Sequence, residues 1–89
     1  MKPQDPGRLL RDLGRRLAEL RIEHNLTQEQ LAEQLDVTAR YVQAVEAGQE
    51  NLTVRSLATL ASALGVGVAQ LFAAPKSRIV RQGRPPRRR

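Results

Sequence analysis

The sequence predicts an all-α fold: five short helices packed as one compact domain, followed by a basic tail. Three observations carry this. Apolar residues make up 40% of the 89 residues, with one Phe, one Tyr and no Trp, so Leu, Val and Ala must build the core. Ala and Leu favour helix. Apolar positions recur at intervals of three and four, the helical repeat. Thr or Asp stands ahead of the first four such runs, where a side-chain oxygen caps a helix. At this length a single core is only just sufficient.

Each element follows from its own residues. Asp5 caps the first helix and Pro6 suits its first turn. Leu10, Leu13, Leu17 and Leu20 form its apolar stripe, with Arg8, Arg11, Arg15, Arg16 and Glu19 mostly off it, and Asn25 is suited to a left-handed stop. Thr27 opens a second helix, and Gln30 three residues later completes a capping box. Leu31, Ala32 and Leu35 give it a buried face, and it stops at Asp36. Thr38 caps the third helix, Val42 and Val45 face inward, and Gly48 stops it. Thr53 caps the fourth, with Leu52 and Leu57 placed as a hydrophobic staple. Leu57, Leu60, Ala61 and Leu64 line its inner face and Gly65 ends it. A fifth helix over roughly 68–73 presents Leu71 and Phe72, and Pro75 closes the domain.

Charge divides the chain differently. Residues 75–89 carry seven Lys or Arg and no acid, whereas residues 1–74 are close to neutral. Three segments are expected: a flexible 1–8 leading into helix 1, a domain over 9–74, and a basic tail over 75–89. The tail has too few apolar residues to fold without a partner, and its charge suits a polyanion. There is no Cys, hence no disulfide, thiolate nucleophile or Cys-based metal site. His24 stands alone and reads as a helix-end surface residue, with no metal and no cofactor expected. No glycine-rich phosphate loop or carboxylate dyad points to an enzyme. No signal core and no run near eighteen apolar residues is present, which predicts a soluble, cytoplasmic protein and no membrane partner.

Helices 2 and 3, joined by a tight turn, have the pattern of a helix-turn-helix. Ala32 is the small residue that lets the helices cross closely. Asp36 is the residue that must tolerate positive φ in the turn. With Val42 and Val45 buried, the N-terminal face of helix 3 is left free to enter a major groove.

At these residues a family resemblance enters. "LTQEQLAEQLDVTARYVQAVEAG", flanked by "LAELRIEHN" and "LTVRSLATLASALGVGVAQLF", resembles the lambda-repressor-like helix-turn-helix proteins of Cro/XRE type, over about residues 9–73. The resemblance implies a five-helix DNA-binding transcriptional regulator, usually dimeric. It implies that Gln28 bonds phosphate and buttresses the recognition helix, with Thr27 beside it. Thr38, Ala39, Arg40, Gln43 and Ala44 match groove-facing positions. Arg40 suits guanine and Gln43 suits adenine, each pair discriminating by ~1–3 kcal/mol, while Thr38 and the alanines suit thymine methyls. Arg21 and Glu46 match a semi-buried ion pair tying helix 1 to helix 3. One departure is Asp36, where the family usually has glycine.

Tyr41 is placed either to touch the sugar-phosphate backbone or to pack on helix 2. Arg15 and Arg16 read as a solvated face in preference to phosphate contacts. Leu71 and Phe72 read as core or, by resemblance, as a possible dimer surface. In the tail, "QGRPPRRR" partly resembles an AT-hook, so Arg81, Arg84, Arg87, Arg88 and Arg89 are expected to touch phosphate first and a minor groove second. The expected partners are double-stranded DNA and a second copy of the chain. The alternative is an antitoxin-like or restriction-modification controller-like regulator whose tail binds a protein partner.

Overall fold

The computed structural model describes residues 5–77, and the tail arginines 81, 84, 87, 88 and 89 lie outside that range. Five helices follow one another: α1 (Pro6–Glu23), α2 (Gln28–Leu35), α3 (Ala39–Glu46), α4 (Val54–Ala63) and α5 (Val68–Leu71). Among the described residues there is no strand, and the fold is all-helical as composition and spacing predict.

The caps form as the sequence requires. Asp5 accepts from the Gly7 amide at 3.0 Å. Thr38 and Thr53 accept from the Tyr41 and Ser56 amides at 3.1 and 3.0 Å. The Gln30 amide donates to Thr27 Oγ1 at 3.0 Å while the Thr27 amide donates to Gln30 Oε1 at 2.8 Å, a reciprocal box that satisfies two orphan donors. The stops form too: Asn25 and Asp36 turn left-handed, with φ of 58° and 59°. Asp tolerates that conformation because its short polar side chain bonds locally.

One core joins all five helices. α1 contributes Leu13, Leu17 and Leu20, α2 Leu31 and Ala32, and α3 Val42 and Val45; Leu57, Leu60, Ala61, Leu64 and Leu71 close it from α4 and α5. Two residues of the expected stripes, Leu10 and Leu35, are only half-buried, because they lie at the ends of their helices. α5 is shorter than the expected 68–73. Its last amides, Phe72 and Ala73, bond carbonyls three residues back, a tightened final turn. Arg16 Nε caps the Gln70 carbonyl at 3.1 Å, so the chain leaves the helix and turns along α1.

That return segment is anchored. Pro75 is buried, the Ser77 amide donates to Glu19 Oε2 at 3.1 Å, and Lys76 Nζ bonds Glu23 Oε2 at 3.1 Å. The hydrogen bond and charge of Lys76 hold the Glu23 carboxyl below the usual carboxylate range. Packing against α1 therefore continues through Ser77.

α1 and α3 approach each other closely at Gly14. A Cβ on Gly14 would lie 2.6 Å from the Val45 carbonyl oxygen and collide with that of Glu46. Gly48, at φ 77°, would place a Cβ 2.8 Å from Arg11 Cα. Gly14 thus lets the middle of α1 rest on the last turn of α3. Propensity alone would make Gly14→Ala stabilising by ~0.5–1 kcal/mol. The carbonyl contact opposes this, and overpacking of this kind costs ~1–3 kcal/mol. Gly14→Ala is therefore expected to lower the urea midpoint; an unchanged or raised midpoint would show that the helices separate without penalty.

Candidate nucleic-acid interface

α2 and α3 pack across the tight turn at Asp36, with Ala32 3% exposed at their crossing. Val42 and Val45 fix which side of α3 faces the core, and the remaining face is open. Arg40 and Gln43 are exposed there, three residues apart and so neighbours on one helix face, with Ala47 extending it by a turn. Thr38 is exposed at the start of the same helix, its hydroxyl oxygen engaged by the Tyr41 amide. Ala39 and Tyr41 are half-buried and pack against the core, and Ala44 is half-buried. The open face is therefore narrower than the sequence positions alone imply: Arg40 and Gln43 at its centre, Thr38 at one end.

The orientation of α3 is set by a polar junction beneath it. Arg21 has no exposed surface and Glu46 is 9% exposed. Arg21 Nε donates to Glu46 Oε2 at 2.6 Å and Nη2 donates to Oε1 at 3.1 Å, a bidentate pair, while Nη1 donates to the Leu26 carbonyl at 2.8 Å. Gln28 Nε2 donates to the same Glu46 Oε1 at 2.9 Å. One carboxylate thus joins α1, the first residue of α2, and the last residue of α3. The ion pair that the family resemblance implies is more deeply buried than "semi-buried" suggests, and Gln28 is bonded to the last residue of α3. Among the described residues no buried side-chain nitrogen or oxygen lacks a partner.

Several contributors escape the sequence reading. Gly14 and Gly48 set the approach of α1 to α3, and a glycine inside a helical repeat is the available signal, since it costs ~1 kcal/mol without a packing reason. The Leu26 carbonyl carries no side-chain signature. His24 is exposed, with Nδ1 2.9 Å from the Leu20 carbonyl, a local helix-end contact. Leu71 is fully buried, so of the pair Leu71 and Phe72 only Phe72, 56% exposed, is available to a partner. No group of metal-ligating side chains exists among the described residues, and no described helix is long and apolar enough to cross a membrane.

Because Arg21 is fully buried, removing its partner strands a charge. Glu46→Ala is expected to cost ~3–5 kcal/mol, and the double variant Arg21→Met/Glu46→Leu to recover most of that loss. Chemical denaturation of the three proteins checks this; equal stability of the single and double variants would show that the charge is solvated after all.

Comparison with known proteins agrees with this geometry. The family profile HTH_3, helix-turn-helix, matches residues 17–71. The restriction-modification controller protein C.AhdI from Aeromonas hydrophila is 38% identical, with 78% of this chain and 100% of that one covered and a TM-score of 0.72. The hypothetical transcription factor NHTF from Neisseria is 30% identical over 85% of this chain and 87% of its own, at a TM-score of 0.72. The clp gene regulator ClgR from C. glutamicum is 30% identical over 79% and 86%, at 0.67. No curated protein matches the chain. Matched over more than half its length by the family profile, the chain belongs to the Cro/C1-type helix-turn-helix family of DNA-binding transcription regulators.

Proposed function

We propose that the protein is a sequence-specific transcriptional regulator that binds double-stranded DNA in the cytoplasm, as a homodimer, at an inverted repeat. The observation that carries this is the pairing of an open Arg40–Gln43 face with a buried network that locks its helix. Recognition helix 38–46 enters the major groove. Arg40 presents a fork to guanine O6 and N7, Gln43 an amide to adenine, and Thr38 its methyl to thymine. Gln28 keeps one amide hydrogen for Glu46 and offers the other to phosphate, with Thr27 beside it at the positive end of α2.

The interface itself is short of positive charge: residues 27–74 hold Arg40 and Arg55 against five acids. The tail supplies what is missing. Arg81, Arg84, Arg87, Arg88 and Arg89 add phosphate or minor-groove contacts. From Ser77, held on α1, residues 78–89 span at most ~40 Å when extended, enough to pass round a helix to the duplex. The second copy docks on the α5 end, where Phe72 and Val68 are 56% and 37% exposed, an apolar surface that a small domain benefits from covering.

A narrower reading is favoured by one observation. The restriction-modification controller C.AhdI is matched along its whole length. In that reading the chain times the expression of a restriction and modification pair, and the tail is available to a protein partner.

Selection from random DNA is expected to enrich an inverted repeat with half-site centres about one helical turn apart. Arg40→Ala should relax preference at one base pair per half-site, by ~1–3 kcal/mol. Loss of affinity with unchanged preference would remove Arg40 from the reading role. Truncation after Ser77 should weaken binding and flatten its salt dependence while keeping the preference; equal salt slopes would exclude the tail from phosphate contact. The controller reading further requires the selected repeat to occur ahead of neighbouring methyltransferase or endonuclease genes.

A further inference from the structure

The described cations divide into two sets. Arg8, Arg16, Arg21 and Lys76 each have a carboxylate partner, in Asp12, Glu19, Glu46 and Glu23. Arg11, Arg15, Arg40 and Arg55 form no ion pair within the described residues. Arg40 is the proposed base reader, and Arg55 stands in the first turn of α4. Arg11 and Arg15 remain, one turn apart on α1, and the function stated so far leaves them without a role.

Their position is defined by Gly14 and Gly48. Gly14 faces the last carbonyls of α3 and Gly48 lies against Arg11 Cα and Cγ. At about 100° per residue, Arg11 and Arg15 lie about 60° and about 100° round α1 from the Gly14 direction. The core residues Leu13, Leu17 and Leu20 lie on the other side of that direction. The two arginines therefore border the C-terminal end of α3 on the side away from the core, and Arg11 is exposed and Arg15 half-exposed.

The length of α3 gives that place a meaning. Ala47 carries the open face of α3 to its last turn, about 10 Å along the helix from Arg40. A duplex whose base edges meet Arg40 and Gln43 runs past this end of the open face, and its sugar-phosphate strands flank the groove that holds the helix. Resting on the DNA-binding reading above, we propose that Arg11 and Arg15 form a second phosphate-contacting site, on α1, that grips the strand beside the end of the recognition helix. Guanidinium groups suit this because they bond phosphate oxygens in pairs. The site positions the protein without choosing among bases. It also separates Arg15 from Arg16, whose side chain is committed to Gln70 and Glu19.

The test is binding of the full chain to a labelled duplex carrying its selected sequence, followed by fluorescence anisotropy from low to high salt. Arg11→Gln/Arg15→Gln is expected to flatten the salt slope by ~1.8 and weaken binding about 10- to 30-fold near physiological salt. Preference among mutated duplexes should stay unchanged, and Arg11→Lys/Arg15→Lys should keep most of the slope. An unchanged slope in the glutamine variant overturns the proposal. So does a shifted base preference, which would assign base reading, or a lysine variant as weak as the glutamine one, which would assign packing. If the wild-type chain selects no sequence, the DNA-binding reading fails first and this site falls with it.

Discussion

A guanidinium with no exposed surface, held by a carboxylate from another helix, is the contact on which the rest of this small domain is arranged. Arg21 reaches from α1 to Glu46 at the end of α3 and to the Leu26 carbonyl in the turn before α2. Burying such a pair is costly, because both ions lose water, and hydrophobic replacements of equal volume often match its stability. Its value here is geometric. Glu46 also receives the Gln28 amide, so the rotation of α3 about its own axis, and with it the direction of Arg40 and Gln43, is tied to α1 and α2 by hydrogen bonds of fixed direction. Val42 and Val45 alone would hold α3 down without fixing its rotation as closely.

The same interaction explains how charge is distributed. Half of the described cations are engaged with carboxylates: Arg8 and Arg16 within α1, Arg21 across to α3, and Lys76 from the segment after α5 back to α1. Those left over lie on α1, on the open face of α3, and at the start of α4. The sequence beyond them is strongly basic, while residues 1–74 are close to neutral. In the proposed function the domain's unengaged arginines discriminate or align, and the tail contributes pull that is indifferent to sequence.

Much of this was legible in the residues. Caps at Asp5, Thr27, Thr38 and Thr53, and stops at Asn25, Asp36, Gly48 and Gly65, are local chemistry: each depends on atoms within a few residues, so the sequence states it directly. The apolar repeat named every buried Leu and Val of the core, and overreached at Leu10 and Leu35, since periodicity does not say where a helix runs past its neighbours. α5 ends at Leu71, two residues before the expected 73, where the next amides close onto carbonyls three residues back and Arg16, more than fifty residues away, also bonds the Gln70 carbonyl. The role of Gly14 likewise depends on the distant carbonyls of Val45 and Glu46.

By itself the sequence determined the helices, their order, the inward stripes, and which residue types could face DNA. These follow from side-chain entropy, capping and the 3.6-residue repeat, all short-range effects. Only the tertiary structure decided which arginines are engaged and which are unpaired, how narrow the open face of α3 is, and that Leu71 is core while Phe72 is surface. The physical reason is that burial, and the Arg21–Glu46 and Lys76–Glu23 pairs, join residues far apart in the chain. Arg15 and Arg16 are adjacent and chemically identical, and the approach of α5 to one side of α1 is what makes Arg16 a strut to the Gln70 carbonyl.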